Sequence, residues 1–160
     1  MPTASGPANY VRGNRHADAP VRIVDTMTPT TNPQAAAIER YLAFWNHAPG
    51  DDRRRLGRQT FAPDVRYRAP LADRSGLDDL VELAGEFSLE LGAITMTSRG
   101  EPDLHNDCAR LRWELHRDGE SFAEGTDVLT FDPDGLVATV TTFIDRPPAG
   151  FDPHAHGRAA

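Results

Sequence analysis

The residue with the clearest chemical potential is Asp127. In the stretch Ala123 to Asp145, AEGTDVLTFDPDGLVATVTTFID, alternate residues of an extended strand fall on opposite faces. Ala123, Gly125, Asp127, Leu129 and Phe131 therefore share one side, and Phe122, Glu124, Thr126, Val128 and Thr130 take the other. A carboxyl lying between leucine and phenylalanine loses its hydration. It is costly to ionise unless it keeps its proton or gathers hydrogen bonds. Either state suits proton transfer or donation to a ligand oxygen, so Asp127 reads as a functional acid about as readily as a structural carboxylate.

Other polar groups carry less. His105, beside Asn106 and Asp107, stands before a predicted strand, where a loop imidazole is usually solvated. His154 and His156 form an HxH pair in the terminal segment, but two imidazoles without a third ligand on rigid structure make a poor metal site, and no metal is expected. Asp132 and Asp134 belong to a turn, where aspartate bonds its own backbone. Arg53, Arg54 and Arg55 are the one cationic run and read as a solvated helix face.

Composition narrows the chemistry further. All seventeen cationic side chains are arginine, so lysine Schiff bases, a lysine-anchored pyridoxal phosphate and a phosphate-binding lysine loop are excluded. The single cysteine, Cys108, excludes an internal disulfide and a cysteine-based zinc cluster. A formal charge of −7 argues against a nucleic-acid partner. No apolar run approaches the roughly 18 residues of a membrane span, and charged residues interrupt the first thirty positions. A cytoplasmic protein without membrane contact is expected.

The elements that must position Asp127 follow from periodicity. Residues 1–31 lack it and read as a flexible arm, with Met27 an alternative start. Thr31 or Asn32 caps a helix with Pro33 in its first turn, and Ile38, Tyr41, Leu42 and Trp45 form its apolar stripe. Asp51 to Gln59 predicts a second helix, Val65 to Ala69 a short strand, and Ser75 to Leu91 a third helix stopped at Gly92. After Gly92 the period becomes two. Ala93 to Ser98, Ala109 to His116, Ser121 to Phe131 and Leu136 to Asp145 predict four strands, with Asp118-Gly119 and Pro133-Asp134-Gly135 as hairpin turns. Leu111, Trp113 and Leu115 form an inward face. The folded domain spans 32–146, and 147–160 reads as a disordered tail. Two helices, a strand, a helix and then an antiparallel meander predict an α+β fold, with helices on one side of a curved sheet.

That order, with the words FAPDVRY (Phe61 to Tyr67) and GTDVLTFDPDG (Gly125 to Gly135), resembles the nuclear transport factor 2-like superfamily and its SnoaL-like branch. The resemblance implies a cone-shaped α+β barrel: a strongly curved, mainly antiparallel sheet around a long N-terminal helix, with two further helices and an apolar pocket. It covers about residues 33–145. Members include ketosteroid isomerase, polyketide cyclases and proteins without catalysis, so the fold does not name a reaction. Ketosteroid isomerase pairs a tyrosine on its first helix with a protonated aspartic acid in a late strand. By position these fall on Tyr41 and Asp127. The isomerase base precedes a proline after the first strand, and here Ala69 stands before Pro70. In SnoaL-type cyclases one late-strand aspartate serves as acid and base, and Asp127 is its equivalent here.

The implied pocket wall comprises Trp45, Phe61, Tyr67, Leu111, Trp113 and Leu115, with Val140, Thr142 and Ile144 inward on the last strand. Three functions fit: a cofactor-independent isomerase or cyclase acting on a hydrophobic carbonyl compound, a non-catalytic binder of a hydrophobic small molecule, or a dimerisation module. In the last case Arg110, Arg112, Glu114 and Glu124 face a partner copy in a homodimer, which is compatible with either of the others.

Overall fold

The computed structural model describes residues 32–155; the arm expected over 1–31, Met27 and His156 lie outside them. Asn32 caps helix α1 (Pro33–Asn46), its Oδ1 accepting the Gln34 N–H at 3.0 Å. Ala37, Ile38, Tyr41 and Phe44 are its buried residues. The apolar stripe is therefore wider than predicted: Phe44 is fully buried, while Leu42 and Trp45 are only partly so. Helix α2 (Asp51–Thr60) follows, and its Arg53 is only 2% exposed. The Arg53 guanidinium donates to the His47 carbonyl just past α1 and to Ser88 Oγ at 3.0 Å, tying α2 to α1 and to α3. Arg53 is thus a buried clamp rather than part of a solvated face.

Strand β1 (Phe61–Ala69) begins directly after α2, and β2 (Ala72–Ser75) folds back against it. Helix α3 (Leu77–Leu91) starts at Leu77 rather than Ser75, because Ala72–Ser75 is spent on β2. Then come β3 (Thr95–Ser98), β4 (Asp103–His105), β5 (Cys108–Arg117), β6 (Glu120–Phe131) and β7 (Val137–Arg146). The seven strands form one curved, unclosed sheet ordered β2-β1-β7-β6-β5-β3, with β4 also on β5. All pairs are antiparallel except β1 with β7. Fold class and architecture are those of an α+β cone.

Asp118 (φ 53) and Gly119 (φ 80) both sit in the left-handed region, the geometry a two-residue hairpin turn between right-twisted strands requires. Register shifts after Leu115, after Glu124 and after Thr130 bend β5, β6 and β7 around the helices. Asn46 locks the end of α1 to β3: its amide donates to the Met96 carbonyl at 2.9 Å and its Oδ1 accepts the Met96 N–H at 2.6 Å. The core between sheet and helices includes Tyr41, Phe44, Phe61, Leu80, Leu111, Leu129 and Val140. Among the described residues no helix is long and apolar enough to cross a membrane.

Candidate active site

Strand alternation turns Asp127 inward, where it is 2% exposed. Its direct neighbours across the sheet are Leu111 on β5 and Thr142 on β7. Three neutral donors meet the carboxyl. Tyr41 O–H, from one turn before the end of α1, donates to Oδ2 at 2.5 Å. Trp113 Nε1–H and Thr142 O–H both donate to Oδ1 at 2.8 Å. Thr142 Oγ1 also lies 3.4 Å from the Tyr67 hydroxyl. Thr142 has one proton, and the short contact to the carboxylate takes it. Tyr67 is therefore the donor in the longer contact.

Gly125 makes this arrangement possible. It pairs directly with Trp113. A Cβ at position 125 would lie 2.1 Å from Trp113 Cζ2, 2.5 Å from Cε2 and 2.6 Å from the Phe143 carbonyl oxygen. The missing side chain lets the indole lie flat across β6, which brings its N–H to a carboxyl two residues along the same strand.

Burial pushes the Asp127 carboxyl above its ordinary pKa, and the bonds from Tyr41, Trp113 and Thr142 oppose that rise without cancelling it. Burial, followed by the neighbouring Asp127 charge, raises the Tyr41 phenol well above its usual value, and the same two causes raise Tyr67. Both phenols therefore keep their protons. Trp45 Nε1 is buried with no partner at hydrogen-bonding geometry, and its dipole pulls the Tyr41 phenol weakly in the lowering direction.

These groups lie at the closed end of a cavity of about 360 Å³. Of the residues singled out in the sequence, Tyr41, Trp45, Tyr67, Trp113, Leu115, Asp127, Thr142 and Ile144 line it. Phe61, Leu111 and Val140 do not: each is fully or almost fully buried in the core away from the cavity wall. Leu111 and Val140 are both 0% exposed and belong to the packed core between sheet and helices. Phe61 opens β1 and packs against Tyr41 and Phe44 at ring-centroid separations of 5.8 and 5.0 Å.

Sequence reasoning missed several wall residues. Met96 comes from β3, Leu83, Ala84, Phe87 and Leu91 from α3, and Leu71 and Arg74 from the β1–β2 hairpin. The α3 stripe was visible as apolar periodicity, without any sign of which side faced a void. Residues expected in a tail also contribute, since Pro148 and Phe151 line the cavity. Leu71, 60% exposed, and Glu90 mark its open end, where Arg74 pairs with Glu86 at 3.2 Å. His105 is exposed on β4 and is not on the wall. Among the described residues no group of three or more His, Cys, Asp or Glu side chains stands together to hold a metal. What the closed end offers is one carboxyl, two phenols and an apolar wall.

No family model and no curated protein matches the sequence. Solved structures do. The chain is similar to a protein from Agrobacterium tumefaciens str. C58 that is provisionally named an isomerase of the SnoaL-like family. Identity is 29%, covering 71% of this chain and 97% of that one, with a TM-score of 0.68. A provisionally named SnoaL-like polyketide cyclase from Jannaschia sp. CCS1 is 14% identical over 74% of this chain and 89% of that one, with a TM-score of 0.59. One from Bacillus cereus ATCC 10987, likewise provisionally named a polyketide cyclase, is 18% identical over 71% and 74%, with a TM-score of 0.58. The last two comparisons bear on fold alone.

Proposed function

From a chain that carries the nuclear transport factor 2-like fold in its SnoaL-like form, we propose a cofactor-independent isomerase or cyclase that binds a hydrophobic carbonyl compound, polyketide- or terpenoid-like in character, in the cone. The observation that carries this is the buried Asp127, held by Tyr41 at 2.5 Å at the end of an apolar cavity. The free carboxylate accepts all three donors. Once protonated, Asp127 donates from Oδ2 to the Tyr41 oxygen, and the Tyr41 proton is released to face a ligand. A substrate carbonyl placed there is polarised, and as an acidic α-C–H passes its proton to water or buffer base entering through the open end, the charge developing on the carbonyl oxygen is stabilised by this pair. Asp127 is the acid of the pair and Tyr41 its outer donor.

The test is exchange of the α-protons of 2-tetralone for deuterium, followed by NMR. Asp127→Ala is expected to lower the protein-dependent rate by about 10²-fold. Asp127→Asn keeps a donor toward Tyr41 but flattens the pH profile. An Asp127→Ala rate equal to that of the unaltered protein refutes a catalytic role.

A second use of the same cavity has its own support. Ala69, on the cavity wall before Pro70, stands where the isomerases carry their base. A 2-tetralone that binds and exchanges no protons identifies a non-catalytic binder. Homodimerisation through the outer sheet face is compatible with both, and exposed Phe143 on β7 is the apolar residue at its centre.

A further inference from the structure

We propose that Tyr67 is the residue that anchors the ligand, donating its phenol proton to one neutral oxygen of an otherwise apolar molecule. This deepens the reading of the cavity as a site for a carbonyl compound, and it rests on that reading only for the identity of the ligand.

Counting protons at the closed end singles Tyr67 out. Tyr41, Trp113 and Thr142 each direct their one polar proton to Asp127, at 2.5, 2.8 and 2.8 Å. Such bonds to a carboxylate are stronger than bonds between neutral groups. Tyr67 is left with Thr142 Oγ1 at 3.4 Å, beyond the usual range for O–H···O contacts. Breaking that contact forfeits little, and the phenol hydrogen turns freely about its C–O bond. Trp45 and Tyr67 both line the cavity, but Trp45 Nε1, which also lacks an acceptor, is itself sealed from solvent.

The surroundings define the ligand's oxygen. The Asp127 charge near Tyr67 opposes ionisation of the phenol and would equally repel an anionic ligand atom. At the open end Glu86 and Glu90 outnumber Arg74, which is already paired with Glu86. Carboxylates and phosphates are therefore disfavoured at both ends. A ketone, ester or ether oxygen on a hydrophobic frame fits: its lone pair takes the Tyr67 proton, and its carbon skeleton meets Trp45, Phe87 and Leu115.

The experiment compares 2-tetralone with tetralin, the same bicycle without the oxygen, by titration at neutral pH, together with the carbonyl stretch of the bound ketone. The unaltered protein is expected to prefer the ketone about 3- to 10-fold, as one net hydrogen bond gives, and to shift its stretch to lower frequency. Tyr67→Phe, which keeps the ring and leaves Tyr41 in place, is expected to lose most of the preference, with tetralin affinity unchanged and the stretch moved back toward that of the free ketone. Thr142→Val, which frees the Tyr67 proton from its internal acceptor, is expected to keep or widen the preference. A preference undiminished in Tyr67→Phe, or lost in Thr142→Val, overturns the proposal. Equal binding of both probes to the unaltered protein overturns it while leaving the apolar cavity standing. If neither probe binds, both fall. A Tyr67-dependent preference without deuterium exchange upholds the anchor and removes the catalytic reading.

Discussion

Replacing Gly125 by alanine adds one methyl group to the strand that carries Asp127, and the structure fixes what that methyl meets. It would approach Trp113 Cζ2 to 2.1 Å, Cε2 to 2.5 Å and the Phe143 carbonyl oxygen to 2.6 Å. None of these atoms is the free end of a flexible chain. The indole is wedged between sheet and cavity, and the carbonyl belongs to the neighbouring strand. Relief requires the indole to tilt off β6, which withdraws Nε1 from Asp127. Overpacking of this kind costs about 1–3 kcal/mol, and losing a hydrogen bond to a buried charged group costs about 1.5–3 kcal/mol more. A total of about 2.5–6 kcal/mol is a large share of the stability of an ordinary domain. For a chain of this size it lowers Tm by roughly 5–25 °C.

Urea and thermal unfolding of four proteins measure this: the unaltered chain, Gly125→Ala, Trp113→Ala and the double variant. Removing the indole removes two of the three close approaches. The methyl group must then cost markedly less in the Trp113→Ala background than alone, giving a coupling of about 1–3 kcal/mol. Trp113→Phe separates the contributions, since it deletes the N–H and keeps a ring, and it is expected to lose only about 1.5–3 kcal/mol. Strict additivity, or a Gly125→Ala cost within about 0.5 kcal/mol of zero, refutes the link between this glycine, the indole and the carboxyl.

Two more expectations follow from the same geometry. Burial raises the folded-state pKa of Asp127 above its unfolded value, so ionising it subtracts stability as pH climbs through the interval between the two, and acid restores that stability. Asp127→Asn accepts from Trp113 and Thr142 through its amide oxygen, donates to Tyr41 and has nothing to titrate. Its stability relative to the unaltered protein should rise with pH across that interval and stay flat above it, and a pH-independent difference in parallel urea titrations contradicts this. On the outer face, Phe143 is 56% exposed. Phe143→Glu is expected to halve the mass found by light scattering, and an unaltered protein that is already monomeric ends the homodimer proposal.

How far the sequence alone reveals this site depends on the range of each interaction. Alternation along β6 is local and places Asp127, Gly125 and Leu129 on the buried side without error. The partners of Asp127 are set by register, which is less accessible. Counting outward from the Asp118-Gly119 turn pairs Arg117 with Glu120 and His116 with Ser121, as observed. Continued, it would set Trp113 against Glu124. The shift after Leu115 moves the pairing by one residue, so that Trp113 meets Gly125. A bulge leaves no composition signal, and so neither the role of Gly125 nor the indole–carboxyl bond was legible. The four-residue strand β2 was lost for another reason: Ala72-Asp73-Arg74-Ser75 has no apolar alternation, and Arg66 holds it through Asp73 at 3.0 Å on the exposed edge. The parallel β1–β7 pair joins residues more than seventy positions apart, beyond the reach of any periodic pattern.

The choice of partners also decides what Asp127 can do. A buried carboxylate is commonly stabilised by arginine, and this chain has seventeen cationic side chains, all arginine. Among the described residues none of these contributes to the Asp127 hydrogen bonds, which come from a phenol, an indole and a hydroxyl. A guanidinium would hold the carboxyl far below its usual pKa and fix it as an anion. Neutral donors offset part of the desolvation and leave the pKa raised. The same donors satisfy either form: the anion takes three bonds, and the acid keeps two on Oδ1 and reverses the third toward Tyr41. A carboxyl that can hold its proton without unmaking its surroundings is what the proposed acid role in an apolar cavity requires.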